Sequence, residues 1–175
     1  MRKGPHGFSL IELLIVVAII LIIAAIAIPN LLRSRIAANQ ASAVGSLRTI
    51  NTAEVTYSTT YNMGYTSTLA DLGPPAAGSP TPTASFAGLI DEVLSGIGSP
   101  GGTAATANVS SKSGYGFQYS PAATDADGKI DYYNVTATPI SAGTTGTNYY
   151  YTDQTGVIRQ NSTAPAASTD SPLAG

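Results

Sequence analysis

The chain opens with a short basic stretch and then a long run of apolar residues. Apolar side chains fill positions 8–28 except at Ser9 and Glu12. About 21 helical residues, each rising 1.5 Å, cover a hydrocarbon core of about 30 Å. The pattern therefore predicts a membrane-spanning helix near the N-terminus.

Beyond Pro29 the apolar positions become sparser but remain mostly compatible with one helix face. They are Leu32, Ile36, Val44, Leu47, Ile50 and Val55. We expect the helix to continue to about Tyr57, with this face against a folded domain. Pro29 lacks a backbone N–H and crowds the preceding turn, so it is expected to kink the helix.

Turn-rich segments and short aromatic or β-branched runs make up the rest of the chain. Apolar residues at helical spacing predict a short helix over about 86–96, and the low-complexity segment SPGGTAATANVSSKSG predicts a mobile loop. The runs YGFQYSP, KIDYYNVTATP, NYYYTD and GVIRQN predict three or four antiparallel strands. Thr155 and Gly156 favour a tight hairpin between the last two runs.

These elements predict an α+β fold, in which a long N-terminal α-helix packs on a small antiparallel β-sheet. The helix has a transmembrane half and an amphipathic half. The last residues have little to bury and are expected to be flexible. The predicted segments are a leader at 1–7, a transmembrane helix at 8–29, its amphipathic continuation at 30–60, a globular head at 61–160 and a tail at 161–175.

Composition removes several classes of function. The formal net charge is −2 and only 10% of residues are charged, which gives no basic footprint for specific nucleic-acid binding. There is no cysteine for a disulfide or a thiolate site, and His6 is the single histidine. A Ser-His-Asp triad or a histidine-rich metal site is not predicted, and neither is an enzyme.

Glu12 is the most informative residue of the apolar run. An ionisable side chain within a membrane span costs roughly 2.5–3.5 kcal/mol on insertion scales, so it calls for a partner or a role. The alternative is that Glu12 lies near the interface and reaches water. The segment is also compatible with a secretory signal peptide. The small residues Ala24, Ala25 and Ala27 could form its cleavage site.

The sequence GFSLIE, from Gly7 to Glu12, follows a basic leader and precedes the apolar helix. It resembles the processing site of type IV prepilins, in the superfamily of type IV pilins and type II secretion pseudopilins. The resemblance implies that a prepilin peptidase cuts between Gly7 and Phe8 and methylates the new amino terminus of Phe8. It also implies that Glu12 pairs with the N-terminal amine of a neighbouring subunit. Pro29 falls where type IV pilins carry a helix-perturbing proline.

The function implied by this resemblance is that of a structural subunit of a type IV pilus, serving adhesion, twitching motility or DNA uptake. The implied partners are further copies of the chain in a helical filament, the prepilin peptidase and an assembly platform in the inner membrane. Membrane lipid surrounds the helix before assembly. The expected location is the bacterial inner membrane as a single-pass protein, then a pilus or fimbrium at the cell surface.

Two other functions stay open from the sequence. The major pseudopilin of a type II secretion system shares the processing site, helix and sheet, and acidic loops in such proteins bind calcium. Asp125, Asp127 and Asp131 in DADGKID offer carboxylate oxygens but lack the distal glutamate of a known calcium loop. The other interpretation of this run is a solvated turn around Gly128, with no cofactor. The third function is a signal-anchored domain that never polymerises.

Overall fold

A computed structural model describes residues 8–79, 81–98 and 108–173. The predicted leader, 1–7, therefore lies outside the described residues. The chain divides into two compact units, Met1–Arg35 and Ile36–Gly175. The first helix, α1, runs from Leu10 to Tyr61 and thus belongs to both.

Pro29 lies inside α1, and helical structure continues on both sides of it. The proline takes away one backbone donor, yet the residues before and after it are helical. The expected kink at this residue stays a prediction. The expected continuation of the helix beyond Pro29 is confirmed, because α1 extends to Tyr61.

One face of α1 is buried in the second unit. Its buried residues follow the spacing of three and four that places side chains on one side of a helix. They are Ala43, Val44, Ser46, Leu47, Ile50, Ala53, Glu54 and Tyr57. Val55 was expected on this face but is 54% exposed. The reason is the helical spacing of three and four residues, which places Ala53 and Glu54 after Ile50 on the buried face and leaves Val55 beside it.

Five antiparallel strands form a single sheet in sequence order, which confirms the predicted α+β layout. They are β1 Val109–Lys112, β2 Tyr115–Pro121, β3 Tyr133–Pro139, β4 Tyr149–Asp153 and β5 Arg159–Asn161. Alternate side chains of the central strands are buried, as expected for a sheet with one face on a core. That core combines this face with the buried face of α1.

Strand β1 occupies part of a segment that was expected to be a mobile loop. Residues 99–107 of that segment lie outside the described residues, but Val109–Lys112 pairs with Tyr115–Gln118 of β2. The strand reads VSSK, and only Ser110 in it is buried. The prediction of a loop was wrong there because an edge strand held by backbone hydrogen bonds needs little apolar periodicity.

The helix predicted over about 86–96 is reduced to one short turn, α2, at Glu92–Ser95. Gly88 has a φ of +66°, which no helix residue adopts. Asp91 then starts α2 as its N-cap, accepting hydrogen bonds from the backbone N–H groups of Val93 and Leu94 at 3.1 and 2.9 Å. The apolar residues before Asp91 are therefore not helical.

The C-terminal segment makes more contacts than its composition predicts. The Leu173 N–H donates to the Ile158 carbonyl at 2.7 Å, and the Gln160 N–H donates to the Ser171 carbonyl at 3.1 Å. Backbone groups supply these bonds, so apolar side chains are not required for them. This segment lies along β5 as an additional edge, which differs from the expectation of a free tail.

Candidate assembly segment

The start of α1 and the two residues before it include the described part of the predicted processing site. Gly7 lies outside the described residues, and Phe8 is 80% exposed. Ser9 precedes the helix, which begins at Leu10. Glu12 is exposed on the first turn.

Glu12 caps its own helix. The Ser9 backbone N–H donates to Glu12 Oε2 at 2.9 Å, while the Leu13 N–H donates to the Ser9 carbonyl at 3.2 Å. The first N–H groups of a helix have no partner within the helix, and an acidic side chain there also interacts favourably with the helix dipole. The carboxylate thus has a structural role within its own helix.

This cap was missed in the sequence, although a signal for it exists. A Ser or Thr followed three residues later by Glu is the pattern of a capping box. Ser9 and Glu12 have this spacing. Among residues 8–79, 81–98 and 108–173, none donates a hydrogen bond to Glu12 Oε1. That oxygen is therefore available to a group supplied by another molecule.

The helix that follows the cap exposes an apolar surface. Its most apolar stretch is long enough to cross a membrane, and none of that stretch is buried within the chain. The exposed large side chains include Leu10, Leu14, Ile20, Ile22 and Ile26. Lipid or other helices must cover a surface of this size and kind, since monomeric soluble proteins rarely expose one. The segment is a candidate membrane span.

The acidic run at 125–131 forms a tight turn. Asp125 Oδ1 accepts hydrogen bonds from the backbone N–H groups of Asp127 and Lys129 at 2.9 and 2.8 Å. Gly128 has a φ of +78°, as the interpretation as a solvated turn requires. Within the described residues, no group of three or more His, Cys, Asp or Glu side chains is arranged to hold a metal ion. Asp131 is exposed near this turn.

Comparison with known proteins bears on the N-terminal segment. The family described as the prokaryotic N-terminal methylation motif matches residues 2–28, which contain the predicted cleavage site, Glu12 and the apolar run. This N-terminal segment is type IV pilin-like. The chain is also similar to the type IV wide pilus major component PilA4 of Thermus thermophilus, with 62% identity over 37 residues.

That match covers 21% of this chain and 28% of the Thermus protein, so the chain spans just over a quarter of the relative's length. No solved structure matches the chain. The family match thus concerns the N-terminal segment, residues 2–28.

Proposed function

We propose that the chain is a structural subunit of a type IV pilus that polymerises through α1 after its leader is removed. The observation that carries this proposal is the coincidence, in residues 2–28, of a methylation motif with a helix whose apolar surface is uncovered. In the filament, packing against copies of the same helix covers that surface in place of lipid. The α+β head then forms the outside of the filament.

The proposed steps are those that the resemblance of the N-terminus to type IV prepilins implies. A prepilin peptidase cleaves the peptide bond between Gly7 and Phe8 and methylates the amine of Phe8. Before assembly the apolar helix lies in the inner membrane, where lipid covers it. An assembly platform then transfers the subunit into the filament at the cell surface.

In the filament, Glu12 registers each subunit against its neighbour. The positively charged amine of Phe8 from one copy approaches the Glu12 carboxylate of another. A charge-assisted hydrogen bond between buried partners is strong because water does not compete for it. Glu12 Oε2 caps α1, and Oε1 is the oxygen that we assign to the neighbouring amine.

We propose further that the chain has no catalytic activity and needs no cofactor. The single histidine lies in the leader and cysteine is missing from the sequence. In the acidic turn, Asp125 is already bonded to the backbone, which supports a turn without calcium.

The test is mass spectrometry of the N-terminus of filaments sheared from cells. The proposal expects a chain that begins at N-methylated Phe8 and is recovered from long surface filaments. A chain that begins at Met1, or one cut after Ala27, would contradict the processing step. A processed chain that stays in short periplasmic assemblies would instead support the major pseudopilin function, and one that never assembles would support an anchored domain.

A further inference from the structure

Helix α1 buries a glutamate in the core of the head. Glu54 is 0% exposed and lies on the same helix face as Ile50 and Tyr57. In the described part of the chain the salt bridge is that of Lys112 with Asp91, so no basic side chain pairs with Glu54. An ionised carboxylate in such a site is costly unless a cation accompanies it.

Three buried side chains form a closed cluster of hydrogen bonds around this carboxyl group. The Thr66 N–H donates to Glu54 Oε2 at 3.0 Å, and Thr66 Oγ1 lies 2.6 Å from Glu54 Oε1. Thr66 Oγ1 also lies 3.1 Å from the Tyr119 hydroxyl, which donates to the Thr66 carbonyl at 2.8 Å. The cluster joins α1, the turn after it and β2.

Counting protons separates the two charge states of Glu54. Beyond the backbone N–H bond, the cluster has oxygen–oxygen contacts of 2.6, 3.1 and 2.8 Å. If Glu54 is ionised, only the hydroxyl protons of Thr66 and Tyr119 are present, so one contact has no proton. If Glu54 is neutral, its proton goes to Thr66 Oγ1, the Thr66 proton goes to Tyr119 and the Tyr119 proton goes to the Thr66 carbonyl.

The short distance of 2.6 Å does not decide between the states, because a hydroxyl bonded to a carboxylate is equally short. The number of available protons and the missing cation both favour the neutral acid, because in the ionised cluster the contact of 3.1 Å between Thr66 and Tyr119 carries no proton. We infer that Glu54 is held as a neutral carboxylic acid, and that its proton completes a pH-sensitive cluster of hydrogen bonds that joins α1, Thr66 and β2.

The groups around this cluster also favour the neutral form of Glu54. Burial raises the pKa of Glu54, the hydrogen bonds from Thr66 and Tyr119 oppose that rise, and the nearby Asp71 carboxylate adds to it. The other titratable groups that face Glu54 are Tyr57 on α1, Tyr65 after it, Tyr119 on β2 and Tyr133 on β3. Burial raises the pKa of each of these tyrosines, so none supplies positive charge.

The sign of the pH effect follows from the raised pKa. A group whose pKa is higher in the folded than in the unfolded state stabilises the fold fully below its unfolded pKa, about 4.3 for glutamate. That contribution is lost as pH rises through the folded pKa. The cluster should therefore stabilise the head most at acidic pH. At alkaline pH the turn containing Thr66 should separate from β2 more easily.

The first experiment uses the full chain in detergent, with near-ultraviolet circular dichroism of the tyrosines as the signal for unfolding. Glu54→Gln keeps a donor and an acceptor of the same shape but does not titrate. We expect the Tm of the wild type to fall between about pH 5 and about pH 9 relative to that of Glu54→Gln. Glu92→Gln is the matched control, since it removes another glutamate, in α2, and should follow the wild type.

The second experiment reads the proton directly and does not require the Glu54 variant to fold. Glu12, Glu54 and Glu92 are the three glutamates of the chain, so Glu54 alone remains in a Glu12→Gln, Glu92→Gln double variant. With carbon-13-labelled glutamate, the infrared band of a protonated carboxyl should be present at about pH 6, where an ordinary glutamate is almost wholly ionised. An ionised carboxylate at that pH, or equal pH dependence of wild type and Glu54→Gln, would overturn the inference.

Discussion

Asn51 Nδ2 donates a hydrogen bond of 2.8 Å to Oγ1 of Thr152, a fully buried residue of β4. The Asn51 carbonyl oxygen accepts a second bond of 3.0 Å from the hydroxyl of Tyr133 on β3. One amide thus joins α1 to two adjacent strands. Packing of apolar side chains has no direction, whereas these two bonds fix where along the sheet the helix sits.

Removing this amide should destabilise the head. Asn51→Ala leaves two buried hydroxyls without their partner, each at a cost of about 1–3 kcal/mol. We expect the free energy of unfolding to fall by about 2–4 kcal/mol, measured by urea denaturation of the detergent-solubilised chain. Thr52→Ala, on the exposed side of the same helix turn, should change it by no more than about 0.5 kcal/mol.

A double-mutant cycle tests whether the bond itself is responsible. Tyr133→Phe removes only the hydroxyl, and its cost in the wild-type chain should exceed its cost in the Asn51→Ala variant by about 1 kcal/mol. Equal costs in the two backgrounds would show that Asn51 and Tyr133 do not interact, and that helix packing alone explains the loss.

Asp91 should hold the edge of the head together. Its carboxylate caps α2 and also accepts a bond of 2.7 Å from Lys112 Nζ on β1. Burial acts against it, but the bonds from Lys112 and the backbone lower the pKa of Asp91 overall. Asp91→Ala should cost about 1–2 kcal/mol in thermal or urea unfolding.

A conservative variant separates the contribution of the N-cap to stability from that of the ion pair. Asn is as good an N-cap as Asp, so Asp91→Asn loses only the charge on its contact with Lys112. The pair is partly exposed, and its loss should cost no more than about 1 kcal/mol. If Asp91→Asn were as damaging as Asp91→Ala, the ion pair and not the cap would hold α2.

Metal removal should leave the fold unchanged. Oδ1 of Asp125 already accepts from two backbone N–H groups, and the turn offers few of the six or more oxygen ligands that calcium takes. We expect the same Tm in EDTA and in excess calcium. Asp125→Ala should lower it in both, because the turn loses its acceptor, whereas Asp125→Asn should be milder. A calcium-dependent rise of Tm would favour the pseudopilin function.

The sequence predicted the long helix and three or four strands because their signals are strong and local. An apolar run defines the first half of α1, and aromatic or β-branched runs bounded by turn residues lie at β2 to β5. It missed β1 because VSSK has no apolar period and is ordered by its pairing with β2. Pairing between segments cannot be read from the composition of either one.

The polar residues of the core show a second limit of prediction from sequence. Glu54 occupies a position of the buried helix face that a hydrophobic pattern assigns to an apolar side chain. Only the three-dimensional arrangement brings Thr66 and Tyr119 to it. Similarly, Ser9 and Glu12 were predicted for processing and assembly, but the bond between them requires the start of the helix to be known. The sequence motif predicted where this segment lies, and the structure shows the hydrogen bonds that its residues make.

The two tasks of Glu12, capping α1 and pairing with a neighbouring amine, can be separated by two substitutions. Glu12→Ala removes the acceptor for the Ser9 N–H as well as the charge. Glu12→Gln keeps a carbonyl oxygen that can accept from Ser9 at the same place, but carries no charge. Both variants should insert into the membrane and be cleaved, since removing an ionisable group makes insertion easier by up to about 3 kcal/mol.

If Glu12 acts through its charge, both variants should lose filaments sharply, because the N-terminal amine of the neighbour then has no anion beside it. The assay compares membrane-bound precursor, cleaved subunit and sheared filaments at equal subunit abundance. Filaments from Glu12→Gln but not from Glu12→Ala would assign the requirement to the helix cap. Normal filament yield from Glu12→Ala would mean that Glu12 merely reaches water at the membrane interface.

A Glu12→Asp variant tests charge against reach, because it keeps the charge on a side chain one methylene shorter. An assembly defect in Glu12→Asp that is milder than in Glu12→Gln would show that charge matters more than reach.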